Sequence, residues 1–201
     1  MTNEFIRLFL PLYFLLYFFV LVVLKSLLVK KEIGKNPIVL TTDDSAYGLL
    51  SSYFKIIMMV LTAYLIVFSA FPQWYQNFIP LNFFEHQKIK LLGIILALVS
   101  FVWIIISQNN MRQSWRIGID LQNKTELITG GVYKISRNPI YVGIIGSLVS
   151  LFCITPNVIT LFIAVVAFIL IQTQIRLEEE HLLKMHGQEF LNYKKQTRRW
   201  L

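Results

Sequence analysis

The chain has 201 residues, 56% of them hydrophobic and 15% charged, and carries a formal net charge of +8. The length suits one domain or one small membrane bundle, and the apolar share, with 16 Phe spread through long runs, excludes an ordinary soluble domain. The positive charge would suit nucleic acid, but no nucleic-acid motif accompanies it. In a membrane protein basic residues gather instead on cytoplasmic loops facing anionic lipid.

The first apolar run, Leu8 to Leu24, lies between Arg7 and Lys25 and ends without an A-x-A cleavage pattern. It therefore reads as an uncleaved anchor, not a signal peptide. A span needs roughly 20 apolar residues, and five segments approach this: about 5–29, 49–71, 88–107, 139–154 and 157–175, the last two somewhat short. Lys30 to Tyr47 is polar and reads as a cytoplasmic loop, with Asp43-Asp44 either solvated or capping the second span. Gln108 to Arg137 is the longest polar connection, and a loop of that length in a small bundle points to function. Cys153, the one cysteine, excludes an internal disulfide and any multi-Cys metal site. It reads as a small buried hydrophobe.

Thr155-Pro156-Asn157 separates the last two spans. Pro156 cannot continue a helix in lipid, so the two must fold back as an antiparallel hairpin. The tail from Arg176 reads as a charged helix leaving the membrane, interrupted near Gly187 and continuing through Phe190 and Tyr193. The expected fold is an all-α integral membrane bundle of about five transmembrane helices with a C-terminal cytoplasmic helix. Its residues 1–108 form the N-terminal transmembrane part, and residues 109–201 hold the hairpin and the tail.

Five spans put the termini on opposite sides. With the C-terminus inside, Lys25, Lys30, Lys31, Lys35, Lys55, Arg112, Arg116, Lys124, Lys134, Arg137 and the basic tail are cytoplasmic, and only Arg7, Lys88 and Lys90 are outside. That asymmetry predicts N-out, C-in. Trp74, Tyr75, Trp115 and Trp200 are expected near the membrane faces.

Three features converge on the expected cytoplasmic face. In GVYKISRNPIYVG, Gly131 to Gly143, Pro139 suits a first helical turn, Asn138 can cap it, and Arg137 sits beside a positive helix end that attracts anions. A capped span with a snorkelling Arg fits the same residues. Gly143, Gly146, Ser147 and Ser150 share one helical face, for close helix packing or for a flat ligand. Glu178-Glu179-Glu180 follows the last span, and the hairpin returns it toward Arg137–Tyr141. Carboxylates beside an Arg suit a ligand that carries both a cation and a carboxylate.

The stretch GVYKISRNPIYVG, the hairpin and EEEHLLKMHGQEFLNYKKQTRR together resemble the isoprenylcysteine carboxyl methyltransferases and their phospholipid methyltransferase relatives. Gly131, Tyr133, Arg137, Asn138, Pro139, Tyr141 and Gly143 match the first half of the pattern. Glu178, Glu179, Leu182, Gly187, Phe190 and Tyr193 match the second. The resemblance covers about residues 110–200. It departs at Asn138 (His in the prenylcysteine enzymes), at His186 (an aromatic there) and in the missing proline after Arg199.

The resemblance implies a membrane methyltransferase taking S-adenosylmethionine from the cytosol. By position, Tyr133, Arg137, Asn138, Tyr141, Gly143, Glu178 and Glu179 become cofactor-binding candidates, the two glutamates at a solvated rim. Arg137 or Arg199 would steer a carboxylate acceptor, and Glu179 would serve as base for an amine. The acceptor would be a lipophilic small molecule, a prenylated substrate or a membrane lipid. Rival readings are an NADPH-dependent membrane reductase of the steroid 5-alpha-reductase type and a non-enzymatic scaffold. His181 and His186 are five apart, without H-E-x-x-H, so no metal site is expected.

Overall fold

The computed structural model describes residues 3–41, 43–119 and 125–201; Lys124 of the expected basic loop lies outside them. The described residues are helical and form no strand, only isolated bridges. The first span is one rod made of α1 (Asn3–Phe18), a π-helical turn (Phe19–Leu24) and α2 (Lys25–Ile33). Next come α3 (Ala46–Ala70), α4 (Gln87–Met111), α5 (Pro139–Ile154), α6 (Val158–His186) and the short α7 (Gln188–Gln196). Among the described residues, four rods are long and apolar enough to cross a membrane, and α5, at 16 residues, is an apolar helix below that length.

The all-α membrane bundle is as expected, with one difference of length. The last span does not stop near residue 175: α6 runs unbroken for 29 residues to His186. The acidic triplet therefore stands on the same rigid rod as the hairpin. Exposed Leu8, Leu12, Met59, Ile66, Leu92, Val99, Phe162 and Ile169 mark the apolar outer surface of these rods, which a bilayer would cover.

The core lies toward the hairpin end. Ile6 and Leu10 of α1 meet Ile57, Tyr64, Leu65 and Phe68 of α3, Leu151 and Ile154 of α5, and Ile163 and Ala167 of α6. The α5–α6 turn is fixed by a capping box. Asn157 Oδ1 accepts from Thr160 N at 3.0 Å, and Thr160 Oγ1 accepts from Asn157 N at 3.3 Å. Asn157 Nδ2 also donates to Tyr64 Oη at 2.9 Å. The backbone pairs Leu81 N with Pro156 O and Val158 N with Ile79 O complete the clasp.

α4 and α5 pack most intimately, running antiparallel. A Cβ at Gly143 would overlap Ile104 and lie 3.2 Å from the Ser100 carbonyl, and one at Gly93 would lie 2.8 Å from Ile154 and 2.9 Å from Cys153. Small residues here serve backbone approach. Trp103 Nε1 closes the seam by donating to Pro139 O at 2.8 Å. At the π turn, Gln108 Nε2 donates to Leu21 O at 2.9 Å, giving a partner to a carbonyl in the widened ladder.

Two further expectations change. Ser45, not Asp43 or Asp44, caps α3 by accepting from Gly48 N, and Asp43 in turn accepts from Ser45 Oγ at 2.6 Å. Trp115 is 3% exposed and buried, not interfacial. It lies in the loop that pairs with the 37–39 segment through Val39 N to Ile117 O at 2.8 Å and Ile117 N to Pro37 O at 3.0 Å.

Candidate functional site

The site sits at the end of the bundle where the described basic loops gather, opposite the hairpin turn. Gly131 has φ +61, and a Cβ there would fall on the Asn110 amide, so only glycine fits. The turn from Gly131 to Lys134 carries Tyr133 inward to 6% exposure. Burial, and after it the Glu178 carboxylate, pushes the Tyr133 phenol well above its ordinary range. Tyr193 of α7 donates to Tyr133 O at 2.7 Å, and burial pushes its own phenol up to about 12. It remains a neutral donor through the physiological range.

Ser136, Arg137 and Asn138 pair with the C-terminal tail, which runs parallel beside them. Ser136 bridges Arg198, and Arg137 N donates to Arg198 O at 2.9 Å. Ser136 Oγ and Asn138 Nδ2 both donate to Arg199 O, at 3.2 and 3.1 Å. Asn138 stands at the N-cap position of α5, but its side chain makes no capping bond. The expected cap is therefore absent, and the amide is spent on holding the tail.

Glu179 is the centre of this junction. Its Oε1 accepts from Arg137 Nε at 3.2 Å and Nη2 at 2.9 Å, and from Arg199 Nε at 3.1 Å. Its Oε2 accepts from Arg199 Nη2 at 2.6 Å, and Lys194 Nζ stands 3.9 Å away. Arg137 Nη1 donates onward to the carbonyls of Lys194 and Thr197. The hydrogen-bonded carboxylate raises Arg199 further above its usual value. Glu179 is 7% exposed, so it is not the solvated rim residue the sequence suggested. Two guanidiniums against one carboxylate leave a net charge of +1.

Glu178 faces the other way, toward α5. Its Oε1 accepts from Tyr141 Oη at 2.5 Å and from Gln174 Nε2 at 2.7 Å. No donor among the described residues reaches its Oε2. At the junction's edge a cavity of about 250 Å³ lies between α6 and α7, lined by Arg176, Glu179, Leu183, Leu191, Lys194 and Arg199.

The structure thus gathers Tyr133, Arg137, Asn138, Tyr141, Glu178, Glu179 and Arg199 at one end. Gly143 is apart from them, pressed against Ile104 of α4. Gln174, Ser136 and Lys194 join the cluster without having been singled out, and Tyr193, matched only as part of the pattern, joins it through Tyr133 O. Gln174, four residues before Glu178 on a helix, was legible from spacing; the tail contacts, some 60 residues distant in sequence, were not. Among the described residues, no group of three or more His, Cys, Asp or Glu could hold a metal ion.

Over 109 residues the chain is 28% identical to the nickel-cobalt-cadmium resistance protein NccN of Alcaligenes xylosoxydans xylosoxydans, across 54% of this chain and 46% of that protein. The chain spans about half the length of this curated relative. Residues 89–189, half of the chain, match the model of the phospholipid methyltransferase family. That stretch runs from the first turn of α4 through Arg137, the hairpin and all of α6 into the first turn of α7. With those spans and that junction already in place, the chain belongs to the phospholipid methyltransferase family of membrane methyltransferases.

Proposed function

We propose that the protein is an S-adenosylmethionine-dependent methyltransferase acting on a lipophilic acceptor, with a carboxylate as the favoured methyl-accepting group. The observation that carries this reading is the pairing of opposite chemistries on adjacent residues. Glu178 offers a carboxylate oxygen that no donor among the described residues reaches, and Glu179 anchors an arginine pair with net positive charge. The donor set fits a cofactor with hydroxyls and an ammonium at one end and a carboxylate at the other.

In this reading Glu178 Oε2 accepts from the cofactor's hydroxyls or amino group. Arg199 and Lys194, at the mouth of the α6–α7 cavity, meet a carboxylate. Tyr141 and Gln174 hold Glu178 in place, and orientation is what an in-line displacement needs most. The bound cofactor would supply a methyl group on a sulfonium, open to attack by the acceptor. A carboxylate acceptor loses no proton, whereas an amine needs a base. Both oxygens of Glu179 already accept from guanidiniums, which makes it a positioning residue and weighs toward the carboxylate. We further propose that residues 1–108 present the acceptor from the bilayer and that the junction faces the cytosol, with the N-terminus outside.

The test is incubation of the purified protein with methyl-labelled S-adenosylmethionine and a panel of prenylated thiols, fatty acids and aminophospholipids. Label in a base-labile ester is the expected result. Label in a base-stable amine would overturn the carboxylate assignment. A folded protein that neither binds nor consumes the cofactor would overturn the whole reading.

A further inference from the structure

A second cavity, of about 290 Å³, lies at the opposite end of the bundle, where α1 begins, α3 ends and the α5–α6 turn sits. The 16 residues of α5 separate it from Asn138 by roughly 24 Å of helix, so it is no part of the junction around Glu179. Its polar lining includes Arg7, Tyr75, Gln76, Asn82, Glu85 and Lys90.

The charges in this cavity do not cancel. Lys90 Nζ lies 2.5 Å from Glu85 Oε2, and Tyr75 Oη donates to Glu85 Oε1 at 2.5 Å. Both oxygens of Glu85 are thereby taken and its charge is matched. Arg7 is left over. Its backbone carbonyl is held by Ser69 of α3, which fixes the position of the residue. Its guanidinium has no side-chain partner among the described residues, and its Nε is shut off from solvent without a hydrogen bond. A buried N–H in that state is costly and rare in native proteins. The lining as a whole carries a net charge of +1, and the amides of Gln76 and Asn82 add neutral donors.

Three aromatic residues of the same end, Phe71, Trp74 and Phe83, are exposed by 46%, 53% and 81%. Exposed aromatic rings in a membrane protein collect at headgroup depth. A guanidinium is the side chain best matched to the oxygens of a phosphate.

We propose that this cavity binds a phosphate group, carried by a phospholipid headgroup or by free phosphate, with Arg7 as its principal partner and Lys90 as the second. The site is independent of methyl transfer, and its test reads binding, not turnover. Full-length protein, delipidated in detergent, is titrated with dioleoylphosphatidylglycerol, with dioleoylglycerol lacking the phosphate, and with inorganic phosphate. Adducts are counted by native mass spectrometry, and tryptophan fluorescence is followed in parallel in wild type and in Trp74→Phe, whose difference isolates Trp74.

Retention of the phospholipid but not of the diacylglycerol is the expected result. Arg7→Gln should weaken the phospholipid by about tenfold or more, the loss of one charge-assisted contact. If inorganic phosphate binds and the lipid does not displace it, the phosphate site stands and its source is the free ion. Equal retention of both lipids, with no phosphate binding, overturns the proposal, as does unchanged affinity in a folded Arg7→Gln protein. Should Arg7→Gln not fold, Asn82→Phe, which closes the rim with a bulky ring, reads the same loss by occlusion. Undiminished phospholipid and phosphate binding in that variant overturns the proposal equally.

Discussion

Glu179 holds Arg199 by two hydrogen bonds, 3.1 Å from Nε to Oε1 and 2.6 Å from Nη2 to Oε2, and so ties the chain's tail to α6. Arg137 takes the same carboxylate from the other side, on the loop that opens α5. Three segments distant in sequence therefore depend on one anion.

Glu179→Gln removes that anion and leaves two guanidiniums facing each other at a site with 8% side-chain exposure. Breaking a buried pair by removing one partner costs about 3 kcal/mol. The variant should unfold at clearly lower temperature in detergent, and the tail should become open to limited proteolysis. Glu180→Gln is the control, because Glu180 is exposed and pairs with exposed Lys184; its melting should match wild type. Equal melting of all three proteins would show that the junction does not hold the tail.

Glu178→Gln should act on binding instead. The amide still accepts at its oxygen, so Tyr141 and Gln174 keep a partner, but the open anionic oxygen is gone. Isothermal titration with S-adenosylmethionine should show affinity lower by roughly tenfold, the worth of one hydrogen bond to a charged group. Thermal stability should stay near wild type. Full affinity in the folded variant would remove Glu178 from the cofactor's contacts.

Gly143→Leu should fail for a packing reason. Even a single Cβ at this position overlaps Ile104, and overpacking a tight seam costs about 1–3 kcal/mol. Gly143→Ala should already lower the melting temperature, and leucine should lower it further. Unchanged melting in the leucine variant would mean that α4 and α5 do not meet as closely as described.

Asn157→Ala tests the hairpin clasp. It removes the α6 cap and the donor to Tyr64 at a fully buried position. The combined loss is about 2 kcal/mol, visible as reduced thermal stability with cofactor affinity retained, because the turn lies at the far end from Glu178. A loss of affinity without a loss of stability would contradict that separation.

Much of this architecture could be read from residues near one another in the chain. Pro156 between apolar runs dictates the hairpin, and Pro139 marks the first turn of α5. The acidic pair after the last span could be brought to Arg137 by following the hairpin back. What local pattern could not supply was the use each side chain makes of distant partners. Asn138 has the chemistry of a cap, but the carbonyl of Arg199 competes for its amide and wins. Glu179, acidic and near a helix end, has every local mark of a solvated residue until the tail arrives to cover it. Trp115 has an interfacial residue's composition, yet the pairing of Ile117 with the 37–39 segment encloses it. Long-range closure decided each of these, and no short window of sequence records it.

The brevity of α5 has a further consequence. Sixteen residues rise roughly 24 Å, against a hydrocarbon thickness of about 30 Å. A helix anchored at its far end by the clasp must therefore stop short of the opposite surface, or draw the lipid inward to meet it. Either way Arg137 and Asn138 lie level with Glu179, well short of the end of α6 at His186, by roughly 10 Å of helix.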